Sequence, residues 1–424
     1  MEFPRRAREA RVAPSHASAL TLLFLVSMLN YLDRNMLSIL LPAIKVDLHL
    51  SDTQLGFITG VAFTLFHAFM GVPFGYLADR FPPKRVIAGA IGFWSLMTAA
   101  CGLSQGFGQL AVARVLVAVG EGGAMPASNA LIAGLVPPDR RARALSIYAL
   151  GLPAGIFFGF LGGGAIAQAL GWRTALFVFG LPGVVLAITV LLALPHQSRP
   201  PAAVAKGLGP ALVAIASRPS FRHLCLASAL FTLSWQGMVA WLPSYFTRAY
   251  GLPLGEVGAS LAIVLASSQA IGLLVGGFAG DLLAKRGARW YLRLAAGASL
   301  ASAPFLFLAL SGPGANVAFA ALLPGFAIGL LQGVPALSAV HAVTEPEHRG
   351  VAIAVYQMVV NVVAGLGPLV IGLLSDRLTA TLGAAALGVA ILSVALPAGA
   401  WSALHFWVGS RRIEGDAPRT AIGA

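Results

Sequence analysis

At 58% hydrophobic and only 10% charged residues over 424 positions, with a mean hydropathy of +0.84, the chain is excluded from the soluble globular class, where charged residues average about 25%. A net charge of +13 would suggest nucleic acid in a soluble protein, but here the basic residues flank apolar runs, so they report topology and anionic headgroups instead. The two cysteines, Cys101 and Cys225, lie inside apolar runs and imply neither a disulfide framework nor a metal site.

Apolar runs recur with short polar breaks, and each is long enough to cross a bilayer as a helix. Residues 1–17 form a basic tail without a cleavage site, so the first run reads as a retained helix. Twelve spans are predicted over 18–44, 53–78, 84–104, 107–136, 142–168, 174–195, 221–246, 257–280, 290–311, 316–341, 350–374 and 381–408. Segment 196–220 lacks a long apolar run and divides the chain into an N-terminal half, 18–195, and a C-terminal half, 221–408. Residues 409–424 form a second tail. With both tails cytoplasmic, twenty-two Lys and Arg fall inside and four (Lys45, Arg173, Arg248 and Arg377) fall outside, a strong bias for that orientation.

Span 1 is apolar except for Asn30-Tyr31-Leu32-Asp33-Arg34 in its middle. Such charges cost roughly 2.5–3.5 kcal/mol each to insert, so they face a bundle interior or a watery cavity. Span 4 adds Arg114 and Glu121, seven residues apart and therefore on one helix face. These four are the only charges deep in the predicted spans, and they sum to zero. A structural ion-pair lock and a substrate or proton site both fit that balance. In the functional reading, Asp33 and Glu121 exchange a proton while Arg34 and Arg114 pair alternately with them and with an anionic substrate.

The halves echo each other. Span 2 ends Gly75-Tyr76-Leu77-Ala78-Asp79-Arg80, followed by Lys84-Arg85, and span 8 ends Gly277-Phe278-Ala279-Gly280-Asp281, followed by Lys285-Arg286. In this pattern the glycine admits a neighbouring helix and the aspartate accepts from basic groups or a helix N-terminus, forming a conformational latch. Further candidates for a cavity lining are Asn30, His67, Tyr148, Trp235, Gln236, Trp241, Gln332, Tyr356, Gln357 and Asn361. Aromatic and amide groups there serve equally as packing and interfacial anchors.

The stretch 75–85 resembles the signature loop of the major facilitator superfamily, and Gly151-Leu152-Pro153-Ala154-Gly155, continuing to Gly159 and Gly163, is similar to its glycine-rich fifth-helix motif. The 30–34 stretch, Arg114 to Glu121, Gly171-Trp172-Arg173 and Trp241-Leu242-Pro243-Ser244-Tyr245 look like spinster-type members, with anion:cation symporters as close relatives. The resemblance implies an all-α membrane protein of two pseudo-symmetric six-helix bundles, working by alternating access around a central cavity. It also implies that the helix 1 and helix 4 charges take part in coupling.

The expected function is therefore proton-coupled secondary transport, with no cofactor and with a bacterial inner membrane as its place. Because the C-terminal half carries no intramembrane charge, the expected substrate is an amphipathic organic anion or lysolipid-like molecule. Small organic or sugar acids and multidrug-type export remain open. An enzyme is disfavoured by the absence of H-E-x-x-H and G-x-S-x-G motifs, and ATP-driven pumping by the absence of a phosphate loop. A channel would need rings of identical groups. Expected partners are the substrate, protons and membrane lipids, and a monomer suffices because the cavity lies within one chain.

Overall fold

The structure, a computed structural model, describes residues 16–195 and 208–416, which form helices and short 3-10 turns without a strand. The N-terminal tail up to 15, the first part of the predicted linker (196–207) and residues 417–424 lie outside the described residues.

The N-terminal half contains α1 (His16–Leu48), α2 (Asp52–Thr59), α3 (Val61–Arg80), α4 (Pro83–Cys101), α5 (Phe107–Glu121), α6 (Ala124–Leu135), α7 (Arg141–Ala149), α8 (Gly151–Leu170) and α9 (Trp172–Ala193). A short α10 (Leu208–Ala216) follows. The C-terminal half contains α11 (Pro219–Tyr250), α12 (Leu254–Ala284), α13 (Arg289–Ser311), α14 (Ala315–Leu330), α15 (Gly333–Ala342), α16 (Arg349–Ala364), α17 (Leu366–Leu382) and α18 (Ala386–Asp416). Among the described residues nine helical stretches are long and apolar enough to cross a membrane, the last of them, Pro346–Asp416, holding two passes. The remaining two passes are α1 and α4. Asn30, Asp33 and Arg34 dilute the hydropathy of α1, and Lys84 and Arg85 that of α4. The twelve passes form two six-helix bundles.

Two differences from the expected elements have physical causes. The segment between the halves is not all loop. α10 packs on α11 and α16, and Arg218 just after it donates to the Val343 carbonyl and to Glu345. The last two spans run longer than expected, because Asp376 and Arg377 stay helical at the end of α17 and Arg411 and Arg412 at the end of α18.

Among the described residues five spans are broken. α2 gives way to α3 at Gly60, α5 to α6 at Gly122-Gly123, α7 to α8 at Leu150, α14 to α15 at Leu331-Gln332, and α16 to α17 at Gly365. At Gly122 a Cβ would lie 2.9 Å from the Met70 Cβ, so only glycine lets α3 approach there. α1 and α8 pack along Gly151, Gly155, Gly159 and Gly163, one per turn, which brings the α1 backbone against α8. A Cβ on Gly155 would stand 2.7 Å from that of Tyr31.

The near end of the molecule is where α1 begins and α18 ends; the far end is opposite. The halves meet mainly toward the far end, where α2 packs on α17 and α8 on α12. The segments α6, α7 and α15, which fill the near end, pack within their own halves. Polar bonds tie the far end. Arg248 grips Asp52 with two bonds of 2.6 and 2.7 Å, Ser375 Oγ donates to Asp52 at 2.7 Å, and Lys45 completes the shell. Asp376 accepts from the backbone N–H of Asp52 at 3.0 Å and of Thr53 at 2.8 Å, and from Thr53 Oγ1 at 2.6 Å. It thus caps the first turn of α2 from the other half. On the second seam Gln168 Oε1 accepts from the Gly255 N–H at the start of α12, at 2.7 Å. Gln168 and Asp376 are separated in sequence by the same interval as Tyr148 and Tyr356, which follow parallel Pro-acid-x-Arg turns (Pro138-Asp139-Arg140-Arg141 and Pro346-Glu347-His348-Arg349). The two caps are therefore repeat equivalents.

The Gly171-Trp172-Arg173 turn also belongs to the far end. Gly171 sits at φ +86°, and Trp172 and Arg173 both donate to Asp47, while Arg173 reaches the Ser104 carbonyl at 3.1 Å. Gly171→Ala should destabilise the protein by about 1 kcal/mol or more, because an L side chain resists that backbone region; a lowered melting temperature in detergent measures it. The Arg173 bond holds the Asp47 carboxyl below its ordinary range. A depressed carboxylate stabilises the fold above its unfolded pKa, about 3.9, and loses that contribution as pH falls through the folded value. The melting-temperature gap between wild type and Asp47→Asn should accordingly be present at neutral pH and close under acid conditions.

Candidate functional site

The buried charges gather where α1 faces α5. Asp33 (3% exposed), Arg114 (3%) and Glu121 (1%) are withdrawn from solvent, whereas 27% of the Arg34 side chain remains open to the cavity. The pairing is crossed between the two spans. Arg34 Nε donates to Glu121 Oε2 at 2.7 Å, and Arg114 Nη1 lies 3.4 Å from Asp33 Oδ2. Thr98 Oγ1 of α4 donates to Asp33 Oδ1 at 2.8 Å, and Arg34 Nη2 lies 3.1 Å from His67 Nε2. Asp33 thus has Arg114 and Thr98 as neighbours, and Glu121 has Arg34, which is itself close to His67, an arrangement in which small movements exchange partners.

Backbone breaks position these groups. Glu121 is the last residue of α5, just before the glycine pair that separates α5 from α6, so its side chain sits at a discontinuity in the span. Discontinuous helices lining a cavity are where transport folds place ion and substrate sites. Gly120 lets α4 close in behind, since a Cβ there would lie 2.9 Å from that of Trp94. Glu121 Oε1 and Arg114 Nε are buried without a hydrogen-bond partner among the described residues. Such unsatisfied atoms are sparse in proteins and mark positions for a proton, water or ligand.

Phe63 was not singled out from the sequence, yet it organises the site. Its ring lies under both guanidinium groups, 5.1 Å from Arg34 Cζ and 4.8 Å from Arg114 Cζ, and stacks on the His67 ring at 5.6 Å. Its position four residues before His67, one helical turn away, was the available signal. Thr98 carried none, because a single threonine in an apolar span is ordinary.

A cavity of about 890 Å³ opens between the halves. Tyr31, Arg34, Phe63, His67 and Arg114 line one wall, and Trp235, Gln236, Gln269 and Asn361 the other. Of the expected lining residues the structure brings His67, Trp235, Gln236 and Asn361 to the cavity. The others lie elsewhere. Trp241 is fully buried, with Nε1 donating to the Pro368 carbonyl at 2.9 Å, so it is a core residue rather than a lining one. Tyr356 is in the core of the C-terminal half, and Gln357 is exposed one turn before Asn361. Gln332 is buried at the break between α14 and α15, Asn30 Nδ2 is buried without a partner among the described residues, and Tyr148 packs on the N-terminal core.

For the expected latch, the surroundings of Gly75 and the side chain of Asp79 lie outside what the structure describes. Lys84 Nζ donates to the Leu194 carbonyl of its own half at 3.0 Å, and Arg80 and Arg85 are exposed. Gly277 faces open space, contrary to the expectation of a close helix approach. Gly272, Gly276 and Gly280 take that role against Leu330, Leu331 and Pro335, because they share one face at four-residue spacing. Asp281 and Lys285 are exposed.

The family model described as Major Facilitator Superfamily matches residues 23–368. The chain belongs to the major facilitator superfamily. Within this superfamily it is similar to an MFS-type efflux pump of Mycolicibacterium smegmatis, with 35% identity over 98% of this chain and 99% of that relative. It is also similar to protein spinster homolog 1 of Mus musculus, with 29% identity over 83% of this chain and 72% of that protein. Among solved structures it resembles a bacterial homolog of the human lysosomal transporter spinster, in an inward-facing and unoccupied conformation, with 25% identity, a TM-score of 0.80, and coverage of 95% and 98% of the two chains. This major facilitator protein is thus a spinster-like, multi-pass membrane transporter and not an enzyme.

Proposed function

We propose that the protein is a proton-coupled secondary transporter of an amphipathic organic anion, lysolipid-like in build, working by alternating access between its two halves. The observation that carries this reading is the crossed pair of arginine–carboxylate contacts at the cavity wall, with Arg34 the most exposed of the four. In this scheme an anionic headgroup competes with Glu121 for Arg34, and the displaced carboxylate takes up a proton. Asp33 and Arg114 form the second, more enclosed stage of the relay. The opposite wall supports the greasy part of the substrate. Trp235 borders both the central cavity and a mainly apolar recess of the C-terminal half, lined by Phe231, Met238, Leu306 and Phe326.

Because the halves are tied at the far end, the opening in this reading lies at the near end, on the side that the Lys and Arg bias favours as cytoplasmic, and the membrane is taken to be a bacterial inner membrane. In that assignment the described state faces inward, with both termini cytoplasmic. A second reading, export of a drug-like amphiphile, is favoured by the 35% identity to an efflux pump.

Transport in proteoliposomes with an imposed pH gradient tests the proposal, with lumenal pH recorded while lysophospholipids, sugar acids and lipophilic dyes are offered in parallel. Proton flux dependent on the lysophospholipid is expected. Flux with dyes alone would select the export reading. An absence of substrate-dependent proton movement in every arm would overturn proton coupling. Arg34→Ala should raise the half-saturating concentration of the anionic substrate by about tenfold or more, since a charge-assisted contact contributes roughly 1.5–3 kcal/mol.

A further inference from the structure

We infer that the near end of the C-terminal half carries a binding site for the headgroup of an anionic membrane phospholipid, built by α13 and α18 and separate from the central cavity. Five side chains alternate there as cation and indole. Arg286 lies 5.9 Å from the Trp290 ring, and Arg293 lies 5.0 Å from Trp290 and 5.5 Å from Trp407. Arg411 completes the row at 5.6 Å from Trp407. Cation–π contact holds each guanidinium over a ring face while leaving its N–H groups available to oxygen acceptors.

Among the described residues the charge of this row is not consumed by carboxylates. The neighbouring Arg289 is paired with Glu414 at 2.6 Å, and Asp416 accepts from the Ser220 N–H. Among the described residues no carboxylate is within ion-pair distance of Arg286, Arg293 or Arg411. Arg293 Nε is buried and has no hydrogen-bond partner among the described residues. A buried guanidinium donor left open is a position for an external acceptor.

The depth of the row selects a lipid over a soluble anion. Trp290 and Arg293 occupy the first turns of α13, and Trp407 and Arg411 the last turns of α18, where both spans reach the membrane boundary. Trp407 is 43% exposed and Trp401, on the same helix, 56%. Indoles at that level lie among headgroups, while long basic side chains reach the phosphates. A phosphodiester would sit between Arg293 and Arg411, with its acyl chains descending beside Trp401 and Leu404.

Native mass spectrometry of the full chain, released from micelles containing phosphatidylglycerol or phosphatidylcholine, tests the site. Phosphatidylglycerol should be retained and phosphatidylcholine displaced. Retention in Arg286→Ala/Arg411→Ala should fall at least about fivefold, both changes being at exposed positions. Trp407→Leu should weaken the quenching of tryptophan fluorescence by phosphatidylglycerol brominated near the headgroup. Equal retention of the two lipids by wild type, or undiminished phosphatidylglycerol on the double variant, would overturn the proposal. So would full displacement by millimolar sn-glycerol phosphate, which would make this a soluble-anion site.

Discussion

Reconstituted Glu121→Gln protein is expected to fold and to insert, yet to show substrate-dependent proton flux no greater than protein-free liposomes. The substitution keeps the shape of the side chain and an acceptor for Arg34 Nε, now 2.7 Å from Glu121 Oε2, but removes the group that can be charged or neutral. It also leaves the Arg34 guanidinium without its anion. Breaking a buried pair costs about 3–5 kcal/mol, and the 27% exposure of Arg34 to the cavity places the cost toward the lower end. Exchange of substrate across equal pH need not be lost, because an anionic substrate can replace the missing carboxylate beside Arg34. Glu121→Asp should restore part of the coupled flux, since it keeps titration while drawing the carboxylate back by one methylene. Coupled flux at wild-type level in Glu121→Gln would remove this residue from the relay.

The second large effect is expected at the far end. Asp52→Asn removes the anion that Arg248 grips with two bonds and that Lys45 and Ser375 also contact. Lys45 and Arg248, cations from different halves, then lose the carboxylate that they share. A loss of about 3 kcal/mol from the closed far end corresponds to roughly a 100-fold shift in the balance between closed and open arrangements. Spin labels placed on the far ends of α2 and α17 should report a longer distance population in the variant, and thiol reagents applied from that side should reach cavity residues faster. If both readouts match wild type, the Asp52 cluster does not govern closure. A variant that merely unfolds would be recognised by its melting temperature, which separates the two outcomes.

Much of the architecture was legible in the sequence because hydropathy runs are long and membrane insertion leaves few alternatives to a helix. The four buried charges were legible for the same reason: Asp33, Arg34, Arg114 and Glu121 interrupt runs that are otherwise apolar. What was not legible was partnership. The sequence places Asp52, Arg248 and Asp376 at the edges of spans, where they look like ordinary loop charges, and only the fold joins residues more than a hundred positions apart. The phase of a glycine is likewise a property of the packed helix. Gly277 fits the repeated motif by spacing, yet Gly276 is the residue that meets Leu331. Trp241 read as a cavity aromatic because the sequence cannot show which side of α11 faces the other half.

The paired caps at the far end have a mechanical consequence. Repeat symmetry gives both seams the same device, a side chain from one half seated on the first turn of a helix in the other, but evolution has filled the positions differently. Asp376 brings a full negative charge and three bonds, next to the Asp52 cluster; Gln168 brings a neutral amide and one bond, beside glycines where α8 and α12 nearly touch. The first seam resembles a clasp and the second a hinge pin. A neutral contact between close backbones tolerates rotation, whereas a charged contact between helix start and carboxylate is held or released as a unit. Swinging open would thus begin at α2 and α17 and turn about α8 and α12, so the halves would part like a door hung on one side rather than like symmetrical jaws.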